Sequence, residues 1–510
     1  MTMANQTLFA TRTRNQAGAL AYAMPAKHAL AQYAATGCFS RTFYATGEAQ
    51  LAEVLRLCEQ VEPEFVARTA VYSRTRGFMK DMPALLCAWL SKRDARLHEA
   101  VFGRVIDNLR MLRNYVQILR SGVVGRRSLG TAPKRLVRQW LESQREESLF
   151  RSSAGQSPSL ADLVKMVHPK PAGREREAFY GYLLGREHAA NRLPELVRQY
   201  EAFKAGDRSQ TPDVPFTLLS SLSLTGDDWR AVARRASWQT LRMNLNTFLR
   251  QGVFTDAALT RRLAERLCDK DEIRKARVFP YQLLAAFQAS KGRAPQEISD
   301  ALQAAMELAV DQVPEVAGRV VVCPDVSGSM LSPVTGGRKG STTAVRCVDV
   351  AALVAAAVLR KNPKAMVLPF EQNVVRVELK PEGRILANAE RLAAVGGGGT
   401  DCSAPLKVLN RMEAKVDLAI FVSDNESWVD PGRGRSTAML MQWEKLRKRN
   451  PRARLVCLDI QPNRTVQVAD RDEVLNVGGF SDAVFELVSL FAGGKLQAWH
   501  WVGEIERVRA

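Results

Sequence analysis

The chain has little of what builds a nucleophilic or metal–sulfur site. Among its 510 residues only five are histidine, and none falls in the His–Cys–Asp grouping that activates a nucleophile or cages zinc. The eight cysteines stand apart at 38, 58, 87, 268, 323, 347, 402 and 457, and no two form a C-x-x-C pair. A disulfide framework and a zinc ribbon are therefore excluded, and the cysteines read as reduced core residues of a cytoplasmic protein. No uninterrupted apolar run is long enough to span a bilayer. The opening MTMANQTLFATRTRN has no apolar stretch behind a basic one, so neither a membrane segment nor a secretory leader is expected. Acidic side chains are also scarce beside basic ones, 53 against 73, which leaves a formal net charge of +20.

What is present fits a folded, multi-domain protein. Hydrophobic residues make up 46% and charged residues 25% of the chain, and 510 residues exceed what one core ordinarily organises. The basic excess is uneven. Residues 1–300 hold 46 Lys and Arg against 29 Asp and Glu, while the remainder holds 27 against 24. A basic surplus confined to one part points to a polyanion, most often nucleic acid. A merely solvated basic face is the plain alternative.

Residues 1–300 read as helical almost throughout. EAQLAEVLRLCEQV (48–61), ALLCAWLSKRD (84–94), VFGRVIDNLRMLRNYVQILRSG (101–122) and LTRRLAERLCDK (259–270) place apolar residues at i, i+3, i+4 and i+7. Helices arriving in pairs between short Gly and Pro breakers predict an α-solenoid of HEAT-like repeats. A helix at 296–311 is expected to join this part to the next. From about 316 the pattern changes to apolar strands alternating with amphipathic helices. Strands are predicted at 318–324, 365–370, 373–379, 416–422, 453–459 and 473–477. Helices are predicted at 343–361, 384–394, 404–414, 436–449 and 481–492. This alternation indicates a mostly parallel, doubly wound sheet. The domains drawn are 1–300 helical and 316–495 α/β, with a tail at 496–510 that packs back on the body.

The stretch VVVCPDVSGSM (320–330) carries the chemistry. A buried strand delivers Asp325, Ser327 and Ser329 at its carboxyl end, where one carboxylate and two hydroxyls can converge on a point. Gly396–Gly399 leads into Thr400-Asp401, and the strand VDLAIFVSD (416–424) ends in Asp424. In an open α/β sheet the carboxyl edge of the strands is where ligands bind. An all-oxygen set of hydroxyls and carboxylates suits a hard cation such as Mg²⁺. Ser in a strand-to-helix turn is also ordinary capping chemistry, so the argument rests on all three segments together. The set is half hydroxyl, unlike the clustered carboxylates of phosphoryl-transfer centres, and no Walker loop is present. No enzymatic activity is expected.

Three basic clusters lie in the helical part. Arg74, Arg76 and Lys80 flank Phe78 in SRTRGFMKDMP (73–83). Arg126, Arg127, Lys134, Arg135 and Arg138 fall in the most basic run, 101–150, which has ten basic residues against four acidic. RSSAGQSPSLADLVKMVHPKPAGRERE (151–177) holds Arg151, Lys165, His168 and Lys170. Basic side chains interleaved with an aromatic can pair with phosphate and stack on an unpaired base. Singly, each has a structural alternative: Arg138 as a cap or snorkelling side chain, His168 as a hydrogen-bonded helix-end residue.

The Asp-x-Ser-x-Ser, Thr and Asp constellation resembles the metal-ion-dependent adhesion site of von Willebrand factor A domains. That resemblance implies direct coordination by Ser327, Ser329 and Thr400, with Asp325 and Asp424 acting mainly through water. A cation so held keeps net positive charge and can accept an acidic group from outside. The pairing of a helical part with DVSGSM, GGTDC and FVSDNES further resembles the Ro autoantigen family, whose helical part is the TROVE module. NQAGALAYAM (15–24), KDMPALLCAWL (80–90), VHPKPAGRE (167–175) and ARVFPYQLLAAF (276–287) agree with it. The loop SPVTGGRKGSTTAVR (332–346) is longer than is usual there. The resemblance covers nearly the whole chain. It implies a ring of HEAT-like repeats closed by the A-like domain, made by a single chain. It also implies binding of small noncoding Y-type RNA on the outer basic surface, and of single-stranded 3′ ends of misfolded RNA in a central hole. By position, Arg151, Lys165, His168 and Lys170 fall where that family contacts RNA; the 126–138 cluster comes from charge alone. RNA quality control, with an exoribonuclease as a further partner, is the function so implied. The other reading is a protein-interaction module that captures a partner's acidic residue through the metal.

Overall fold

In the computed structural model the chain is mostly helical, with one parallel sheet. The structure describes residues 12–509 apart from 16, 37–45, 155–156, 277, 279, 311–312, 314, 335–344, 425, 428–435, 462–464, 470, 480–482 and 495–499. The unusual loop at 332–346 lies mostly outside the described residues. By their contacts, residues 1–57 and 264–504 form one compact unit, and 58–263 with 505–510 form the other. The division drawn from the sequence lies near 316, where strands begin. The contact division falls earlier because the helices before that point already pack on the α/β part: Pro280–Ser290 lies against Gln296–Val310, and Gln296–Val310 against Ile385–Ala393.

The strands, in chain order, are β1 (Arg12–Arg14), β2 (Leu20–Ala23), β3 (Val320–Pro324), β4 (Met366–Val367), β5 (Leu418–Ser423), β6 (Arg454–Asp459), β7 (Thr465–Val466) and β8 (Val474–Gly478). Five of them form a parallel sheet in the order β4-β3-β5-β6-β8. The central strands β3 and β5 are buried along their whole length. Continuous Val, Ile, Leu and Phe runs are what a parallel sheet covered on both faces requires. The helix Cys347–Lys361 that follows β3 is buried at every position from Cys347 to Leu359, which fits its being apolar on all sides apart from Asp349, paired with Arg346. The strand order places the reversal of winding between β3 and β5. In open α/β sheets ligands bind at such a point, outside the carboxyl ends of the strands.

The strand expected at 373–379 does not form. Val374 makes one isolated bridge to Phe370, and β4 already occupies the sheet edge. The run turns back on Phe370 and does not extend the sheet beyond β4, so its local propensity is overridden by where the chain lies. The N-terminal residues differ from expectation in the other direction. Residues 12–23 were read with a helical part, yet β1 and β2 form an antiparallel hairpin whose second strand pairs with β7. Only a distant partner makes a strand of LAYA, and local periodicity cannot register such a partner.

In the other unit, helices pack chiefly on near neighbours in sequence. Pro63–Thr75 meets Asp81–Arg93 and Ala95–Val105, and Asp81–Arg93 meets Leu109–Ser121. That is the local pattern of an α-solenoid. The single periodic run at 101–122 is two helices, Ala95–Val105 and Leu109–Ser121. The break falls at Asp107-Asn108, where the Asn108 side chain accepts from Met111 N at 3.0 Å. Short polar side chains compete for backbone groups and favour a cap over a helix interior. At the C-terminus, Arg68 Nη1 donates to Glu506 O at 2.7 Å, which ties residues 505–510 to this unit. Among the described residues no helix is long and apolar enough to cross a membrane.

Candidate metal site and basic surfaces

The sheet brings the predicted carboxylates together because their strands are neighbours. β3 and β5 run in register, with Pro324 opposite Val422, so Asp325 and Asp424 leave adjacent strand ends. Both are buried, as are Ser327, Ser329 and Thr400. Asp325 is fixed on both oxygens. Ser327 N donates to Oδ1 at 2.8 Å and the Ser423 hydroxyl to Oδ2 at 2.6 Å. The Ser327 and Ser329 hydroxyl oxygens lie 3.3 Å apart, and Ser329 bonds the Asp424 carboxylate. Glu426 N donates to Asp424 Oδ1 at 3.2 Å.

The glycine loop carries Thr400 toward these groups. Gly397 N donates to Val326 O at 2.8 Å, and Gly328 N to Gly398 O at 2.9 Å. Gly396 has φ +87° and runs so close to Val326 that an added Cβ would lie 2.3 Å from its carbonyl oxygen. Two side chains that sequence reasoning missed brace this loop. Glu371 Oε2 accepts from Gly398 N at 2.6 Å. The Ser427 hydroxyl donates to Thr400 O at 3.4 Å and accepts from Cys402 N at 3.2 Å. Ser423, at the polar end of an apolar strand, was the one missed residue with a local signal. Asp401, which accepts from the Ser403 hydroxyl at 2.6 Å, is neutralised by Lys407 at 2.9 Å.

The electrostatics suit a cation. Burial, and then the proximity of Asp424, raise the Asp325 carboxyl above the usual carboxylate range. Burial raises Asp424 as well. Burial, followed by the field of Asp325, Asp424 and Asp401, raises the Cys402 thiol, so the 400–402 loop feels both acids. Two buried like charges served only by hydroxyls and amides are costly. A divalent cation held by Ser327, Ser329 and Thr400, with the carboxylates beside it, would offset that cost. Among the described residues no cluster of three or more His, Cys, Asp or Glu side chains gathers as a cage, so hydroxyls must supply part of any coordination.

The basic candidates divide by what they touch. Arg74 makes paired bonds to Asp107 at 2.9 and 3.0 Å and donates to Met79 O. Arg76 and Lys80 are exposed beside it. Burial of its stem, then the guanidinium groups of Arg110 and Arg74, hold Lys80 below its usual range. Phe78, between them, is 56% exposed with φ +53°. Arg126 folds inward, donating to Ser91 O and Leu129 O. Arg135 pairs with Glu99 at 2.7 Å, and Arg138 Nε donates to Val167 O at 2.9 Å. Arg127 and Lys134, with Arg120 that sequence reasoning passed over, face an open cleft of about 670 Å³. Arg135, Arg138, Leu129 and Met166 also line it, and no acidic residue does.

Arg151 is engaged by Asp213 at 2.9 Å. The helix Leu160–Val167 opens with a capping box between Ser159 and Asp162 and closes at His168 in the left-handed conformation. Lys165, His168 and Lys170 are all exposed there. His168 is thus both a helix-end residue and a surface residue.

A parallel sheet with a cluster of hydroxyls and carboxylates at its switch point, in a chain otherwise built of successively packed helices, defines a helical-repeat protein with a von Willebrand factor A-like domain. Residues 319–492 match the sequence profile of the Ro60 vWA domain. The RNA-binding protein RO60 of Deinococcus radiodurans is 24% identical over 523 aligned residues, covering 95% of this chain and 96% of that protein. The RNA-binding protein RO60 of Caenorhabditis elegans is 24% identical over 251 residues, covering 46% of this chain and 37% of that one. The crystal structure of the Deinococcus radiodurans RO (RSR) protein superposes with a TM-score of 0.64 at 20% identity, covering 92% of this chain and 100% of that chain. Residues 319–492 thus carry a vWA domain of the Ro60 type, and the chain as a whole is similar in sequence and fold to Ro proteins.

Proposed function

We propose that this protein is the RNA-binding component of a Ro-type ribonucleoprotein, acting in noncoding-RNA quality control by binding and not by catalysis. Its ligands on this reading are a small Y-type RNA and the single-stranded 3′ ends of misfolded RNAs. The observation that carries the reading is the open cleft faced by Arg120, Arg127 and Lys134, with Arg135 and Arg138 beside it and no acid in its lining. Such a cleft attracts a polyanion, and the closely spaced phosphates of a nucleic acid supply the densest negative charge for it. The exposed Phe78 between Arg76 and Lys80 offers a stacking face of the sort that holds unpaired bases. The name of the Deinococcus radiodurans relative, which aligns over 95% of the chain, supports the same class.

The test is a gel-shift comparison of a structured RNA with and without a single-stranded 3′ tail. Wild type is run beside the double variant Arg127→Glu, Lys134→Glu, which reverses charge in the cleft. Tail-preferring binding that the variant loses supports the reading; binding indifferent to both tail and variant contradicts it.

The buried acid pair supports a second activity on the same chain. Mg²⁺ held at Ser327, Ser329 and Thr400 would keep net charge to capture an acidic residue of a protein partner, such as an exoribonuclease. A chelator should then abolish partner binding and leave RNA binding intact.

A further inference from the structure

The loop that carries Asp424 leaves the sheet at Ser423 and needs an anchor of its own. It finds one in a turn 412 residues away in sequence. Asn15 is buried, and its Nδ2 donates to Ser427 O at 2.9 Å. Its Oδ1 accepts from Ala19 N at 2.8 Å, which closes the turn of the N-terminal hairpin. Two residues on, Ala17 N donates to Oε2 of the fully buried Glu426 at 3.2 Å. Glu426 N bonds Asp424, and the Ser427 hydroxyl spans Thr400 O and Cys402 N. The turn at 15–19 thus reaches one candidate cation-site acid through Glu426 and one candidate hydroxyl ligand through Ser427.

We propose that Asn15 and Ser427 are positioning residues for the cation site, and that the N-terminal hairpin is energetically coupled to cation occupancy. The proposal rests on reading Asp325, Ser327, Ser329, Thr400 and Asp424 as that site. Its physical basis is that Asn15 has no slack. Loss of its amide leaves the buried Ser427 carbonyl without that donor, and a buried acceptor seeks another by moving. The loop that moves carries Asp424 on one side and braces Thr400 on the other. Loss of a group that orients ligands in this way typically costs about 10- to 100-fold in metal affinity. Coupling is reciprocal, so a cation that fixes Asp424 and Thr400 must also steady the turn.

The test uses the full chain, with Mn²⁺ as probe and electron paramagnetic resonance as readout. Asn15→Ala and Ser427→Ala should each weaken Mn²⁺ binding about tenfold. Tyr22→Phe removes a different hairpin bond, to the Ser436 hydroxyl at 3.3 Å, and should leave the affinity unchanged. If the turn merely stabilised the hairpin, Asn15→Ala would behave like Tyr22→Phe, and equal affinities in a wild type that binds Mn²⁺ overturn the proposal. A wild type that binds no Mn²⁺ refutes the cation reading itself, and the inference with it. The unmutated protein supplies an independent check. Hydrogen exchange at the amides of Ala17 and Ala19 should slow when Mg²⁺ is added, and exchange indifferent to Mg²⁺ in a protein that binds it would count against the coupling even if the variants failed to fold.

Discussion

Asp325 shows how one residue can be costly to the empty fold and necessary to the filled one. Its carboxylate is fully buried beside Asp424, with hydrogen bonds from Ser327 and the Ser423 hydroxyl. Asparagine fits the same bonds without the charge, since the Ser423 hydroxyl can turn to accept. Asp325→Asn should therefore melt higher than wild type in chelator, while losing the stabilisation Mg²⁺ confers. For wild type that gain is about 3 kcal/mol when Mg²⁺ is a hundredfold above its Kd. Thermal unfolding with and without Mg²⁺ decides it; a variant less stable in chelator would show that the site is built without need of a cation. His98 presents the opposite sign. It is buried, bonded to the Tyr115 hydroxyl at 2.8 Å, and its pKa is lowered to about 4, first by burial and then by Arg126, against the pull of Glu99. Cys87 lies near Tyr115 and stays neutral because burial raises its thiol. The unfolded histidine takes up its proton near pH 6.5 and the folded one only near 4, so stability is lost as pH falls through that window, by at most about 3 kcal/mol. His98→Gln should flatten that part of the stability profile, measured by urea unfolding at several pH values.

At the scale of elements, the glycine loop is the joint on which the site depends. Gly396 adopts φ +87° and approaches Val326 O more closely than any side chain permits. Gly396→Ala should cost about 2–3 kcal/mol in urea unfolding and displace Thr400. Unaltered stability and Mn²⁺ affinity would show that the loop is not tied to the 325–329 segment. Elements whose determinants are local were legible in the sequence. The strand Val320–Pro324 with Asp325 at its end, the strand Leu418–Ser423 with Asp424, and the buried helix Cys347–Lys361 follow from apolar runs and their punctuation. Elements settled by a distant partner were not. The hairpin at 12–23 exists through β7, and 373–379 makes only the isolated bridge of Val374 to Phe370. Charge was legible and its use was not. Arg126, Arg135 and Arg138 look alike in sequence to Arg127 and Lys134, yet the first three are engaged by Ser91 O, Glu99 and Val167 O. Only three-dimensional contacts separate a basic strut from a basic contact.

For the whole molecule, the net charge of +20 and its concentration before residue 300 become meaningful through the surfaces that carry it. If phosphates bind in the cleft of Arg120, Arg127 and Lys134, affinity must follow counterion release and not merely total charge. The decisive measurement is the salt dependence of binding to a single-stranded-tailed RNA, for wild type and for the double variant Arg127→Ala, Lys134→Ala. Log Kd should rise linearly with log salt, and the variant's slope should be shallower by about 1.4, the contribution of two lost phosphate contacts to a single strand. A wild-type Kd unchanged between low and moderate salt, or a variant slope equal to that of wild type, would contradict RNA binding at this surface.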